Sequence, residues 1–364
     1  MGPSTRTIHA GVPEGEQGAP LLPGPTLAAP FHLRGDADAS PYGYGRDANP
    51  TWTHLENALG ELDGGQSVVF ASGMAAVTAV LLTSLRSGDV LVACGDGYPG
   101  LRALAADTLE GLGVETRLVP TNDDHVIEAL DGATLVWVET PSNPRLDLVD
   151  IAALADAAHG AGARLAVDNT VATPLGQRPL ALGADFAMLS GTKSLTGHSD
   201  MLLGNVSVAD RELAHALIDW RTHSGSILGG FEAWLAHRSL ATLGMRLERS
   251  SANAAALAAM LAARDDVLEV LHPAGELAER QMDFTGPLVS FTLESAERAQ
   301  RFLDTSELVT EATSFGGIHT TAERRARWGT DAVPEGFIRF SAGCEDEADL
   351  LADVARALDA SARR

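Results

Sequence analysis

The sequence predicts an α/β protein: a large, mostly parallel sheet of seven strands, followed by a smaller C-terminal α+β unit. Three observations carry this reading. Between residues 66 and 208, short apolar and partly β-branched runs alternate with helical patterns. A breaker-poor helical stretch over 231–263 then precedes strand-like and helical runs in mixed order. With 364 residues, 45% of them hydrophobic, the chain is long enough to bury more than one core.

Taken in order, residues 1–50 are rich in Gly and Pro and have no clear period, ending in Tyr42-Gly-Tyr-Gly-Arg46-Asp-Ala-Asn49-Pro50-Thr51. So long an irregular arm is uncommon inside a compact domain, so it is expected either to be disordered or to lie across another surface such as a second subunit. The aromatic and Arg content of its end favours the second. An amphipathic helix over 52–62 stops at Asp63-Gly64-Gly65. Buried strands are expected at 67–70, 90–93, 115–119, 135–138, 164–167, 186–189 and 202–208, with helices at 74–85, 100–112, 123–130 and 150–160. After the stretch 211–223, residues 231–263 read as one long bent helix linking two units. Strands at 267–271, 288–293, 308–311 and 337–341 then mix with helices at 296–303 and 345–361. The expected organisation is an arm of 1–51, a large unit of 52–230, and a linking helix plus small unit of 231–364.

Composition excludes several classes. A net charge of −23 at pH 7 repels a polyanion, so no nucleic-acid partner is expected and any phosphate must be held locally. The longest apolar stretches, such as 75–82, are too short to span a bilayer, and Met1–Ala10 has no basic-then-apolar leader pattern. The expectation is a cytoplasmic protein without a membrane partner. Cys94 and Cys344 form neither a disulfide framework nor a metal-ligand spacing, and both read as small buried hydrophobes. No metal is expected.

The chemistry centres on Ser190-Gly191-Thr192-Lys193. Lysine and arginine together number 26, and Lys193 is the only lysine. Arg cannot lose its proton in a protein or form a Schiff base, whereas a Lys amine of lowered pKa does both. Asp168 stands at the mouth of an expected strand, where a carboxylate can keep a pyridinium nitrogen protonated or cap a turn. Lys193 follows one β/α unit later between Ser190 and Thr192, whose hydroxyls can donate to a phosphate. Ser72-Gly73-Met74 opens a helix, a site for an anion, although a Ser-capped strand-to-helix turn is common by itself. Tyr98 can stack on a ring or act as an acid, Asn143 in Glu139-Thr-Pro-Ser-Asn-Pro144 can contact a ring hydroxyl, and Arg339 can clamp a carboxylate.

Taken together, Tyr44-Gly-Arg46-x-x-Asn49-Pro50-Thr51, Ser72-Gly-Met-Ala75, Glu139–Pro144, Val167-Asp-Asn-Thr170, Ser190-Gly-Thr-Lys193 with Gly197-His-Ser-Asp200, and Arg339-Phe-Ser-Ala-Gly-Cys-Glu345 resemble the ordered motif series of the trans-sulfuration (Cys/Met metabolism) pyridoxal-phosphate enzymes. The resemblance spans essentially the whole chain. It implies the aspartate-aminotransferase-like type I fold, pyridoxal 5'-phosphate as cofactor, and Lys193 as the Schiff-base lysine. It further implies Asp168 on the ring nitrogen with Thr170 beside it, Tyr98 on the ring face and Asn143 by its 3-oxygen. Gly73, Met74, Ser190 and Thr192 would hold the phosphate, helped by Tyr44 and Arg46 of a neighbouring subunit, which implies a dimer at least and by family habit a homotetramer. Arg339, with Ser314, would bind the substrate α-carboxylate.

The chain also departs from the family where a substrate's distal half would lie. Tyr98-Pro99-Gly100-Leu101 replaces a common Tyr-Gly-Gly-Thr, and Thr313 stands where cystathionine-handling members have Glu before Ser-Leu-Gly-Gly. Ile318-His319-Thr-Thr-Ala-Glu-Arg-Arg replaces the usual Glu-Ser and His-Pro segment. The implied activity is γ-elimination on L-cystathionine, giving cysteine, 2-oxobutanoate and ammonia. Alternatives are γ-replacement by a cystathionine γ-synthase or homoserine-ester sulfhydrylase, another C–S lyase, or a non-catalytic protein that kept the fold.

Overall fold

The computed structural model describes residues 1–362. Its larger sheet contains β1 (Gln66–Phe70), β2 (Val90–Cys94), β3 (Glu115–Val119), β4 (Leu135–Glu139), β5 (Arg164–Asp168), β6 (Phe186–Ser190) and β7 (Gly204–Val208), in the order β1-β7-β6-β5-β4-β2-β3. All neighbours are parallel except β7, which runs antiparallel to both β1 and β6. β2, β4 and β7 are buried along their whole length, as a sheet covered by helices on both faces requires. One core lies between the sheet and the helices Gly73–Ser84 and Arg211–Ser224, and another lies on the opposite face under Ile151–Gly160.

The smaller sheet contains β8 (Glu269–Leu271), β9 (Leu288–Thr292), β10 (Thr310–Glu311), β11 (Thr321–Arg324) and β12 (Phe337–Ser341), ordered β10-β11-β12-β9-β8. Only β10 and β11 are parallel. Its core sits under Leu243–Ala262, Ala296–Thr305 and Glu347–Ser361, where Phe291 meets Phe302 edge-on at 5.7 Å between centroids.

Four expectations are corrected. The stretch 231–263 is two helices, Gly230–Leu240 and Leu243–Ala262. At the break the Ser239 carbonyl accepts from the Thr242 hydroxyl and from the Arg246 guanidinium, competitors for the ladder that polar side chains near a carbonyl supply. The helix expected at 100–112 is α-helical only over Pro99–Leu104, then widens through a π turn, Ala105–Leu109, into a 3-10 turn. The arm begins with a helix, Pro3–His9, which docks where Gly244 leaves room: a Cβ there would meet Ser4 Cα at 2.7 Å. β11 and the short helix Glu276–Gln281 are additional elements without an apolar run: Thr321-Ala-Glu-Arg324 carries two charges in four residues, yet Glu323 is fully buried, and Glu276-Leu-Ala-Glu-Arg-Gln281 is mostly polar. Cys94 is buried as expected, whereas Cys344 is only half-buried.

Residues 10–49 are otherwise largely irregular, with Leu21, Leu27, Leu33 and Tyr44 exposed. Among the described residues no helix is long and apolar enough to cross a membrane, and no group of three His, Cys, Asp or Glu is placed to hold a metal ion.

The edge-on pair tests the packing of the smaller core. Phe291→Ala and Phe302→Ala should each cost about 3–5 kcal/mol in chemical denaturation. A double-mutant cycle should return about 1 kcal/mol of coupling, and a coupling of zero would show that the rings do not interact.

Candidate active site

In an open parallel sheet, ligands collect beyond the strands' carboxyl ends. Here β4, β5 and β6 end in Glu139, Asp168 and Ser190, and the smaller sheet faces them with Arg339 on β12. A cavity of about 480 Å³ lies between, lined by Gly73, Met74, Tyr98, Asn143, Asp168, Thr170, Ser190, Thr192, Lys193, Thr313, Ser314 and Arg339. The structure thus brings together twelve of the fourteen residues singled out by sequence. Tyr44 and Arg46 lie elsewhere within this chain: both are exposed on the arm, the Arg46 guanidinium 5.5 Å from the Tyr44 ring centroid. His319, flagged for specificity, does not line the cavity, whereas Arg325 and Trp328 a few residues on do.

Lys193 projects from a turn after β6, its Nζ donating to Ser314 Oγ at 2.8 Å and lying 5.3 Å from the Phe315 ring centroid. Burial, and next the charge of Arg339, push its amine down from 10.5 to about 8, partly opposed by Asp168 and Glu323. Ser314 itself has φ 72°, a left-handed conformation uncommon outside glycine. Its carbonyl accepts from Arg339 Nη2 at 2.9 Å, so one residue serves both cations.

Asp168 Oδ1 accepts from the Thr170 N–H at 3.0 Å and its hydroxyl at 2.5 Å, while Oδ2 has no partner among the described residues and the residue lines the cavity. Burial raises its pKa, against the pull of Thr170 and Lys193. Glu139 is its register partner on β4, raised well above the usual carboxylate range by burial and then by the charge of Asp168. Glu139 Oε2 accepts the Tyr98 N–H at 2.7 Å, fixing the start of the Pro99–Leu104 helix and with it the half-exposed Tyr98 ring. Sequence reasoning quoted Glu139 within a motif but gave it no task. A carboxylate closing an all-apolar strand was the available signal.

Arg339 is almost fully buried. Its Nη1 donates to Asn143 Oδ1 at 2.8 Å, which turns the Asn143 amide nitrogen away, and Nη2 is also paired with Glu323. Glu323 further receives Arg325 at 2.9 Å and Trp328 Nε1 at 2.9 Å. Arg325 in turn grips Asp331, and Arg102 on the Tyr98 helix donates to Thr330 O at 2.6 Å. This buried network was invisible in sequence because its members are spread among ordinary surface-type charges.

The cavity suits an anionic, ring-bearing cofactor. The Gly73–Ser84 helix starts with Ser72 Oγ accepting from Ala75 N at 3.1 Å, while the N–H groups of Gly73 and Met74 take no acceptor among the described residues. Gly73 packs against β6 so closely that a Cβ would meet Ser190 Cβ and Oγ at 2.8 Å. Free N–H donors, a partner-free Asp168 oxygen and one amine near neutrality form a donor set for a phosphorylated aldehyde with a basic ring nitrogen.

A fold with this site is that of a pyridoxal-phosphate enzyme of type I. Residues 4–359 match the profile of the Cys/Met metabolism PLP-dependent enzymes, and the chain belongs to that family. Its cofactor is pyridoxal 5'-phosphate. A Streptomyces coelicolor protein, whose name as a cystathionine gamma-lyase is provisional, is 53% identical over 369 residues, covering 98% of this chain and 94% of that protein. Mycobacterium tuberculosis cystathionine gamma-synthase is 37% identical over 381 residues, covering 98% and 97%. The crystal structure of metB from Corynebacterium glutamicum superposes with a TM-score of 0.94 at 34% identity, covering 99% of this chain and 98% of that one.

Because Lys193 is the only side-chain amine, its titration can be read once the α-amine at the N-terminus is blocked. In cofactor-free protein, the rate of Schiff-base formation with added pyridoxal phosphate should reach half its maximum near pH 8, since the protonated amine below that value is unreactive. A midpoint near 10.5 would contradict the burial argument.

Proposed function

We propose that the protein catalyses γ-elimination on a sulfur amino acid, hydrolysing L-cystathionine to L-cysteine, 2-oxobutanoate and ammonia. The observation that carries this is the sole lysine, its amine lowered to about 8, in one cavity with Asp168, Tyr98 and Arg339. Pyridoxal phosphate, when bound, supplies a Schiff base and an electron sink for negative charge at the substrate's Cα and Cβ.

The protein's own residues do the rest. Lys193 would hold the cofactor through its amine, and that amine, when free, would take the Cα proton. Asp168, with Thr170, would keep a bound ring nitrogen protonated. Tyr98 would pack on the ring and donate a proton to the departing sulfur. Asn143, its oxygen committed to Arg339, offers its amide N–H groups to the ring 3-oxygen. The N–H groups at Gly73 and Met74 and the Ser190 hydroxyl hold the phosphate; the Thr192 hydroxyl, 3.3 Å from Leu203 O, would exchange that bond to join them. Arg339 and Ser314 receive the substrate α-carboxylate, and Thr313 borders the distal group.

We further propose that residues 1–51 form an arm reaching a neighbouring subunit, with Tyr44 and Arg46 completing its phosphate site in a dimer of dimers. Their exposure and distance from this chain's own cavity support it. Residues 52–230 would then form the cofactor-binding unit and 231–364 the small one.

A second reading is γ-replacement, supported by the likeness to a cystathionine gamma-synthase. The two reactions share every proton transfer up to loss of the γ-substituent. They part when the unsaturated product is hydrolysed or is attacked by a thiol.

Two measurements test these readings. The purified enzyme should release 2-oxobutanoate from cystathionine faster than it makes cystathionine from an acylated homoserine plus cysteine; the reverse ratio would establish the second reading. Lys193→Ala should lose both the visible absorbance of the bound cofactor and turnover, by about four orders of magnitude or more. Retention of turnover in that variant would overturn the assignment of Lys193.

A further inference from the structure

Arg246, on the Leu243–Ala262 helix, is a half-buried guanidinium without a carboxylate within salt-bridge distance among the described residues. A buried cation is normally paired, because desolvation is costly. This one is spent on main-chain oxygens: Nη1 donates to Ser194 O at 2.6 Å, and Nη2 to Leu195 O and Ser239 O, both at 2.9 Å. Nε donates to Thr242 Oγ1 at 3.1 Å. Ser194 and Leu195 are the two residues directly after Lys193.

The same contact explains Gly197, the first residue of the Gly197-His198-Ser199-Asp200 run, which the proposed chemistry leaves without a task. Gly197 has φ +70°, and a Cβ there would lie 2.0 Å from Arg246 Nη1. The glycine is what lets the turn close over the guanidinium. From the other side the smaller sheet's approach segment pins the turn: Ile318 N donates to Gly197 O at 2.9 Å, and a Cβ on Gly316 would meet Ser194 N at 2.5 Å. The Lys193 turn is therefore gripped between a helix and the segment carrying Ser314 and Phe315, the two residues that touch its amine.

We propose that Arg246 is a positioning residue: its planar fork, by bonding the two carbonyls that follow Lys193 together with that of Ser239, sets where the lysine amine stands relative to the cofactor and the substrate Cα. The inference rests on the assignment of Lys193 as the Schiff-base lysine. It distinguishes geometry from charge, because a lysine at 246 keeps the cation but has no rigid fork to span three carbonyls. A misplacement of the order of an ångström is enough to cost one to two orders of magnitude in rate.

The test uses holoenzyme carrying Arg246→Lys, Arg246→Ala and, from the opposite side of the contact, Thr242→Val. Wild type must first give a borohydride-trapped adduct at Lys193; its absence would defeat the Lys193 assignment and leave the Arg246 result distinguishable. Given that adduct, Arg246→Lys and Arg246→Ala should both lose about tenfold or more in kcat with KM changed less than about threefold. Both should also show a weakened visible circular-dichroism band of the bound cofactor, and added guanidinium ion should restore kcat and the band in Arg246→Ala. Thr242→Val, which removes the acceptor of Arg246 Nε and the hydroxyl's own bond to Ser239 O while leaving the guanidinium's three carbonyl contacts, should fall between wild type and Arg246→Lys. Wild-type kcat and dichroism in Arg246→Lys would overturn the proposal in favour of a charge effect. A loss that follows only the melting temperature and resists guanidinium would overturn it in favour of a structural one. Should Arg246→Ala fail to fold, Arg246→Lys and Thr242→Val decide by the same readouts.

Discussion

A parallel sheet buried on both faces can be polar only at its edges and ends, and that constraint organises this molecule. β4 and β6 are apolar until their last residue, and β5 is so after Arg164; at these ends Glu139 and Asp168 are register partners, and Ser190 follows two residues beyond Met188, the partner of Asp168 on β6. The same sheet order brings the Lys193 turn and the Gly73–Ser84 helix start to one rim. What remains is to roof that rim with cations, which the smaller sheet does through Arg339. Charge is then balanced locally rather than by solvent: burial raises the carboxylates, lowers the lysine, and forces Arg339 to share Glu323 with Arg325.

Much of this was legible in the sequence, and the residues show why. All seven large-sheet strands were found from apolar runs, but several were placed one residue short: 135–138 against Leu135–Glu139, 164–167 against Arg164–Asp168, 186–189 against Phe186–Ser190. Hydrophobicity reports side-chain burial, whereas the ladder is a property of the backbone and continues through one more, polar residue. In these three strands the omitted residue lines the cavity; in β2, expected at 90–93 and observed as Val90–Cys94, the omitted Cys94 does not. The site itself was readable because its residues sit in short runs at these strand ends.

The rest was hidden for a different reason. Arg246 acts through a carbonyl 52 residues earlier and Glu323 through Arg339, 16 residues on; the pairing of Glu323 with nearby Arg325 and Trp328 is short-range, but nothing in the sequence separates such a cluster from solvated charges until the fold buries it. The split of 231–263 into two helices belongs to the same category, since the carbonyl that breaks the ladder is taken by a side chain seven residues further on. Tyr44 and Arg46 are the converse: conspicuous as a motif, yet remote from the cavity of their own chain.

The rarity of lysine has one more consequence, concerning how the molecule can be taken apart. A protease that cuts only after lysine has a single target bond in the entire chain, Lys193–Ser194, and the carbonyl and amide on either side of it lie inside the turn clasped by Arg246 and the Gly316–Ile318 segment. Cleavage requires that clasp to open and produces only two pieces, 1–193 and 194–364. The rate at which the intact chain disappears is thus a clock for the opening of one local structure, reported without any introduced label.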